Sequence, residues 1–88
     1  MTAYVYMLLC ADGSLYTDWT NNLAKRLESH QAGKGAKYTR SRLPVALAYY
    51  EEYETESDAR KRECAIKKLS RQKKEELLQM PKEEQATE

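Results

Sequence analysis
The sequence predicts one α+β domain with the element order β-β-α-(short α)-β-α-α. Three observations predict it. The length of 88 residues leaves room for a single core. The first 20 residues read as a hairpin, so the sheet they begin is not wholly parallel. Beyond the hairpin, capping residues precede segments whose apolar side chains recur at helical spacing.

Each element has a local reason. Tyr4 to Cys10 is apolar, rich in β-formers and short, which suits a strand. Ala11-Asp12-Gly13-Ser14 signals a turn, and Leu15 to Trp19 reads as the second strand. Thr20 or Asn21 is placed to cap a helix to about Gln31, with Leu23, Leu27 and His30 on one face. Gly33 ends that helix. Gly33 to Tyr38 is a flexible basic loop that leads into a short helical turn through Ser41. Pro44 breaks the chain, and Val45 to Tyr53 forms the third strand. Thr55-Glu56-Ser57-Asp58 resembles a capping box for a helix to about Leu69. Ser70 caps a last helix to about Leu78, and Pro81 stops it. The domain is expected to span residues 1–80, with 81–88 a frayed polar tail.

Composition excludes several classes. Apolar residues make up 41% and charged residues 33%, which describes a globular chain with a small core. No apolar run approaches the ~18 residues of a membrane span. Met1-Thr2-Ala3-Tyr4 lacks the start of a signal peptide. Cys10 and Cys64 form no CxxC pair, which argues against a zinc site or disulfide scaffold and makes the cytoplasm the expected compartment. Neither GxGxxG nor GxxxxGK[ST] occurs, so nucleotide-cofactor folds lose their main support. The net charge of +1 conceals an asymmetry. Lys25–Arg42 carries +5 and Arg60–Lys74 carries +7, against −5 over Glu51–Asp58 and −4 over Glu75–Glu88. Two basic blocks folded together would make a positive face; apart, they are solvated helix surfaces.

Some residues break the pattern. Ala59, Glu63, Ile66 and Ser70 share one helical face, flanked by Leu69. A carboxylate in an inward stripe needs a paired cation, a cleft or a metal ion. Arg26 lies one turn before His30, the only histidine. There are seven tyrosines and no phenylalanine, and buried hydroxyls need partners, so some are expected to line a wet cleft. Hairpin register decides where two of them point. A two-residue turn at Asp12-Gly13 puts Tyr6 and Tyr16 on opposite faces. A three-residue loop at Ala11-Asp12-Gly13, with Gly13 left-handed, puts Tyr6, Tyr16 and Asp18 on one face.

Val5-Tyr6-Met7-Leu8, Leu15-Tyr16-Thr17-Asp18 and Asn22-Leu23-Ala24-Lys25-Arg26-Leu27 together resemble the GIY-YIG nuclease superfamily. The small single-domain bacterial branch is the nearest likeness, through His30, Gly33-Lys34-Gly35-Ala36-Lys37-Tyr38-Thr39-Arg40, and Arg62-Glu63 with Ile66-Lys67-Lys68-Leu69. The superfamily includes the incision domain of bacterial nucleotide-excision repair and several homing and restriction endonucleases. The resemblance implies a three-stranded antiparallel sheet flanked by helices, and a cytoplasmic, metal-dependent endonuclease acting on nucleic acid, DNA foremost. It implies that Tyr6 and Tyr16 are the motif tyrosines, that Arg26 contacts the scissile phosphate, and that Glu63 holds one Mg²⁺ or Mn²⁺. It favours the three-residue hairpin loop. The general base is divided between Tyr6, whose pKa would have to fall from ~10 toward ~7–8, and His30. Lys34, Lys37, Tyr38, Arg40, Lys67 and Lys68 are the expected nucleic-acid contacts.

The chain departs from the motif in three places. Tyr4-Val5-Tyr6 lacks the first triplet's glycine and isoleucine, no asparagine clearly matches the one many members carry after the glutamate, and Asp18 stands where the second triplet has glycine. A carboxylate there repels phosphate unless a metal neutralises it. Two rival readings follow: a nucleic-acid-binding module that has lost turnover, and a protein-interaction domain whose basic blocks meet an acidic partner.

Overall fold
The computed structural model describes residues 2–79. Strand β1 spans Ala3–Leu9, β2 Leu15–Thr20 and β3 Ala46–Tyr53. Helix α1 spans Leu23–Gln31, α2 Lys37–Arg40, α3 Glu56–Lys67 and α4 Arg71–Leu78. The sheet is antiparallel throughout, with β1 central in the order β2-β1-β3. This is the expected α+β architecture.

The central position of β1 explains its unbroken apolar run. Val5 and Met7 face one side, packed with Tyr49, Ala59 and Ile66. Tyr6 and Leu8 face the other, with Leu23 and Leu27 of α1 against them. A strand covered on both faces has no solvent side to make polar. β3 matches this division through a bulge: Met7 pairs with Tyr49 but Leu8 with Leu47, which leaves Ala48 as the extra residue. Without it, Leu47 and Tyr50 could not both face α1.

The hairpin adopts the three-residue loop. Gly13 has φ +85°, and its N–H donates to the Cys10 carbonyl at 2.9 Å. Asp12 secures the loop by accepting from the Ser14 N–H at 3.0 Å and from Arg42 Nε at 3.0 Å.

Several boundaries differ from expectation. Asn22 caps α1, because its side chain accepts from the Lys25 N–H while Thr20 Oγ1 accepts from the Asn22 N–H. Helix α3 stops at Lys67, so Leu69 packs on the core from a turn and Ser70 belongs to the next helix as its cap. Thr55 caps α3 by accepting from the Asp58 N–H at 3.1 Å. Pro81 and the tail lie outside the described residues.

Candidate active site
The hairpin register builds one half of the site. Tyr6 pairs with Asp18 and Leu8 with Tyr16, so Tyr6, Tyr16 and Asp18 share the face that α1 covers. Leu23 and Leu27 seat α1 there, and Arg26 and His30 follow at helical spacing onto the same tyrosines.

The four elements meet in a continuous hydrogen-bonded cluster. The Tyr6 hydroxyl lies 2.8 Å from His30 Nε2 and accepts from Arg26 Nε at 3.3 Å. Asp18 accepts from the Tyr16 hydroxyl at 2.9 Å, from Arg26 Nη2 at 3.3 Å and from the Trp19 N–H at 2.8 Å. His30 Nδ1 lies 2.9 Å from Thr39 Oγ1. Tyr6, His30 and Thr39 are fully buried. Arg26 lies over them, and its side chain, 37% exposed, is held by Asp18. A shallow open depression of about 190 Å³ borders Arg26, lined also by Thr20, Asn21, Asn22, Lys25 and Ser29.

Burial and charge set the proton affinities. Burial pushes Tyr6 up to about 12, against the hydrogen bond from Arg26. Burial also raises Tyr16, and Asp18 adds to this by accepting its proton. These shifts run opposite to the fall expected of a tyrosine base. Burial works to raise Asp18, but the Trp19 N–H, Tyr16 and Arg26 outweigh it and hold the carboxyl below its usual range. Desolvation, helped by Arg26, pushes His30 down. At neutral pH the site therefore contains neutral tyrosines and imidazole with a charged Asp18–Arg26 pair.

Glu63 comes from α3, which packs along β1 and β2. Ala59 and Ile66 on its stripe are fully buried, whereas Glu63 pairs with Lys67 at 3.0 Å, its side chain 13% exposed. The two reach the cluster electrostatically: Glu63 adds to the upward push on Tyr6, and Asp18 helps raise Lys67. No three His, Cys, Asp or Glu side chains gather among the described residues.

The expected nucleic-acid contacts divide into two groups. Lys34, Lys37, Arg40 and Lys68 are exposed and form no ion pair among the described residues. Lys67 is engaged by Glu63. Tyr38 stacks on Tyr16 at 5.7 Å between centroids, and the Arg42 guanidinium lies 3.8 Å from its ring centroid. The stack joins the basic loop to the tyrosine cluster.

Two features escaped the sequence reading. Thr39 falls within the basic segment Gly33–Arg40, whose sequence gives it no distinguishing signal, and only the fold brings it to His30. Glu51, read as part of an acidic block, accepts from Tyr49, Tyr53 and both Nε and Nη2 of Arg62. Two tyrosine hydroxyls are thus satisfied internally, on the α3 side of the sheet, rather than in a cleft.

Comparison with known proteins agrees with this architecture. The GIY-YIG catalytic domain profile matches residues 2–76. A UPF0213 protein of Clostridium perfringens is 56% identical over 75 residues, covering 85% of this chain and 81% of that one. A UPF0213 protein of Natronomonas pharaonis is 53% identical over 75 residues, covering 85% and 88%. The solution NMR structure of a protein from E. faecalis superposes with a TM-score of 0.60 at 46% identity, covering 89% of this chain and 83% of that one. With the domain profile spanning nearly all of the chain and close relatives in both sequence and structure, this protein belongs to the GIY-YIG family.

Proposed function
We propose that this protein binds nucleic acid, DNA foremost, and hydrolyses phosphodiester bonds with the help of one divalent ion, at a rate restrained by Asp18. The observation that carries the reading is the convergence of Tyr6, Tyr16, Arg26 and His30 in one hydrogen-bonded cluster, with Glu63 in electrostatic reach.

The donor set suits Mg²⁺ or Mn²⁺, which bind through one or two carboxylates and keep several waters. Glu63 would hold the ion once the flexible, half-exposed Lys67 turns away. When bound, the ion would lower the pKa of a coordinated water and offset charge on the phosphate. Arg26 turns from Asp18 to the phosphate, where its planar fork stabilises the developing oxyanion. That movement uncovers the Tyr6 oxygen. Tyr6 holds its proton too tightly to act as a free phenolate, so it works as a relay: a proton from water reaches the Tyr6 oxygen as the hydroxyl proton passes to His30 Nε2. The base role thus belongs to Tyr6 and His30 together. Lys34, Lys37, Arg40 and Lys68 supply backbone contacts.

A second reading has its own observation. Asp18 already receives Tyr16 and Arg26, as a bound phosphate would, and this favours a module that binds without turnover. Incubating the protein with branched, nicked and plain duplex DNA in Mg²⁺, Mn²⁺ or EDTA separates the two. Metal-dependent nicking supports the nuclease; salt-sensitive binding with no cleavage under any condition supports the module.

A further inference from the structure
The imidazole of His30 is bonded at both nitrogens, and both ends favour the same tautomer. At one end, Thr39 Oγ1 lies 3.2 Å from the Ala36 carbonyl oxygen and 2.9 Å from His30 Nδ1. A carbonyl only accepts, and a hydroxyl has one hydrogen. The hydroxyl hydrogen therefore points to Ala36, and Nδ1 carries the proton it donates to Thr39. At the other end, Arg26 Nε donates to the Tyr6 oxygen at 3.3 Å. Tyr6 is fully buried, and His30 Nε2 is the one acceptor for its proton among the described residues. Nε2 is therefore bare.

Gly35 closes the arrangement. A Cβ on Gly35 would lie 2.6 Å from His30 Cγ and 2.8 Å from Cε1, so only glycine lets this loop reach the ring. The edges of Tyr6 and Tyr16 stand against it, with centroids at 5.8 and 5.4 Å. A ring flip would break the hydrogen bonds at both nitrogens.

We propose that Thr39 is a positioning residue: its hydroxyl, oriented by the Ala36 carbonyl and supported by Gly35, holds His30 as the Nδ1–H tautomer and so gives the Tyr6 proton a vacant acceptor. Thr39 is fully buried, out of reach of a ligand at the surface. It acts through His30 alone, and its catalytic consequence rests on the nuclease reading above. With a valine at position 39, a buried Nδ1–H would have no acceptor. The Nε2–H form, which donates to Tyr6 and blocks the transfer, would then compete with the Nδ1–H form.

The chain has one histidine, so its ring nitrogens can be read without ambiguity. The experiment is long-range ¹H–¹⁵N NMR of the folded protein for wild type, Thr39→Val and Thr39→Ser, beside cleavage rates against pH. Wild type and Thr39→Ser should show protonated Nδ1 and bare Nε2, and Thr39→Val should lose that preference. Thr39→Val should cleave roughly ten- to a hundredfold more slowly, the effect of an unpaired buried donor, while Thr39→Ser stays near wild type. An Nε2–H tautomer in wild type, or an unchanged tautomer in a folded Thr39→Val, overturns the proposal. A tautomer that shifts as expected in a protein with no cleavage upholds the positioning and refutes the nuclease reading instead.

Discussion

Replacing Asp18 with glycine tests the site most directly. The carboxylate holds Arg26 at 3.3 Å and the Tyr16 hydroxyl at 2.9 Å. A phosphate on the same guanidinium would sit ~6 Å from it, which costs about 2–3 kcal/mol at an effective dielectric of ~20, or roughly 30- to 150-fold. Removing the carboxylate also frees Arg26 to leave the Tyr6 hydroxyl. Stability moves the other way. The ion pair is partly exposed and contributes no more than ~1 kcal/mol, and glycine within a strand costs about 0.5–1 kcal/mol. The variant should therefore be about 1–2 kcal/mol less stable and still folded. Single-turnover cleavage in Mn²⁺ and DNA affinity in EDTA provide the assay, with Asp18→Asn as an uncharged control of nearly equal shape. At least a tenfold gain in rate or affinity is expected for glycine, with asparagine between it and wild type. A loss of both rate and affinity in a folded Asp18→Gly protein would show that Asp18 is a working part of the site, and the repulsion argument would fail.

Other perturbations follow from the same geometry. Glu63→Gln should abolish cleavage yet leave metal-free DNA affinity and folding nearly unchanged, since among the described residues Glu63 pairs with a half-exposed Lys67 alone; unfolding of this variant would mark Glu63 as structural. If about five side chains meet phosphates, log K should fall with log salt at a slope of about −4.5, and Lys37→Ala or Arg40→Ala should each reduce that slope by about one in filter-binding titrations. A flat salt response would remove the nucleic-acid face. Burial works to raise Glu51, but Arg62, Tyr49 and Tyr53 hold it below its usual range, so its stabilisation is present above pH ~4.3 and is lost as pH falls through the lower folded value. Urea midpoints should show Glu51→Gln about 2–4 kcal/mol less stable at neutral pH and less acid-sensitive than wild type. Among the described residues Thr17 Oγ1 is buried without a partner, so Thr17→Val should stabilise the protein by about 1 kcal/mol and raise the melting temperature by about 4–8 °C. A lower melting temperature would mean that the hydroxyl is satisfied.

Local chemistry made much of the fold legible. Gly13 could serve the hairpin in either register, and the motif likeness chose the one that puts Tyr6 beside Asp18. Thr55 and Ser70 announced their helices because a cap is a contact within a few residues. Contacts distant in sequence stayed hidden. Thr39 meets His30 only because Gly33 turns the chain and Gly35 admits it to the ring. Glu51 resembled any other acid of its block until β3 placed it opposite Val5, facing Arg62 on α3. Lys67 could not be told from Lys68 by composition, yet one belongs to Glu63 and the other to solvent. The fall expected in tyrosine pKa assumed a strong cationic field, whereas burial is the largest influence on both tyrosines.

The strand order has a consequence for how a polyanion would approach. β3 forms one edge of the sheet and bears exposed Glu52, with Glu54 just beyond its end. β2, with Tyr16 and Asp18, forms the other edge, two inter-strand spacings or ~10 Å away. That distance is close to the Debye length at physiological salt, so the two edges present separate fields rather than an average. A phosphate chain drifting toward the sheet would be repelled at β3, whereas at β2 it would meet an Asp18 already paired with Arg26. The acids Glu52 and Glu54 would therefore bias docking away from the β3 edge although neither belongs to the tyrosine cluster.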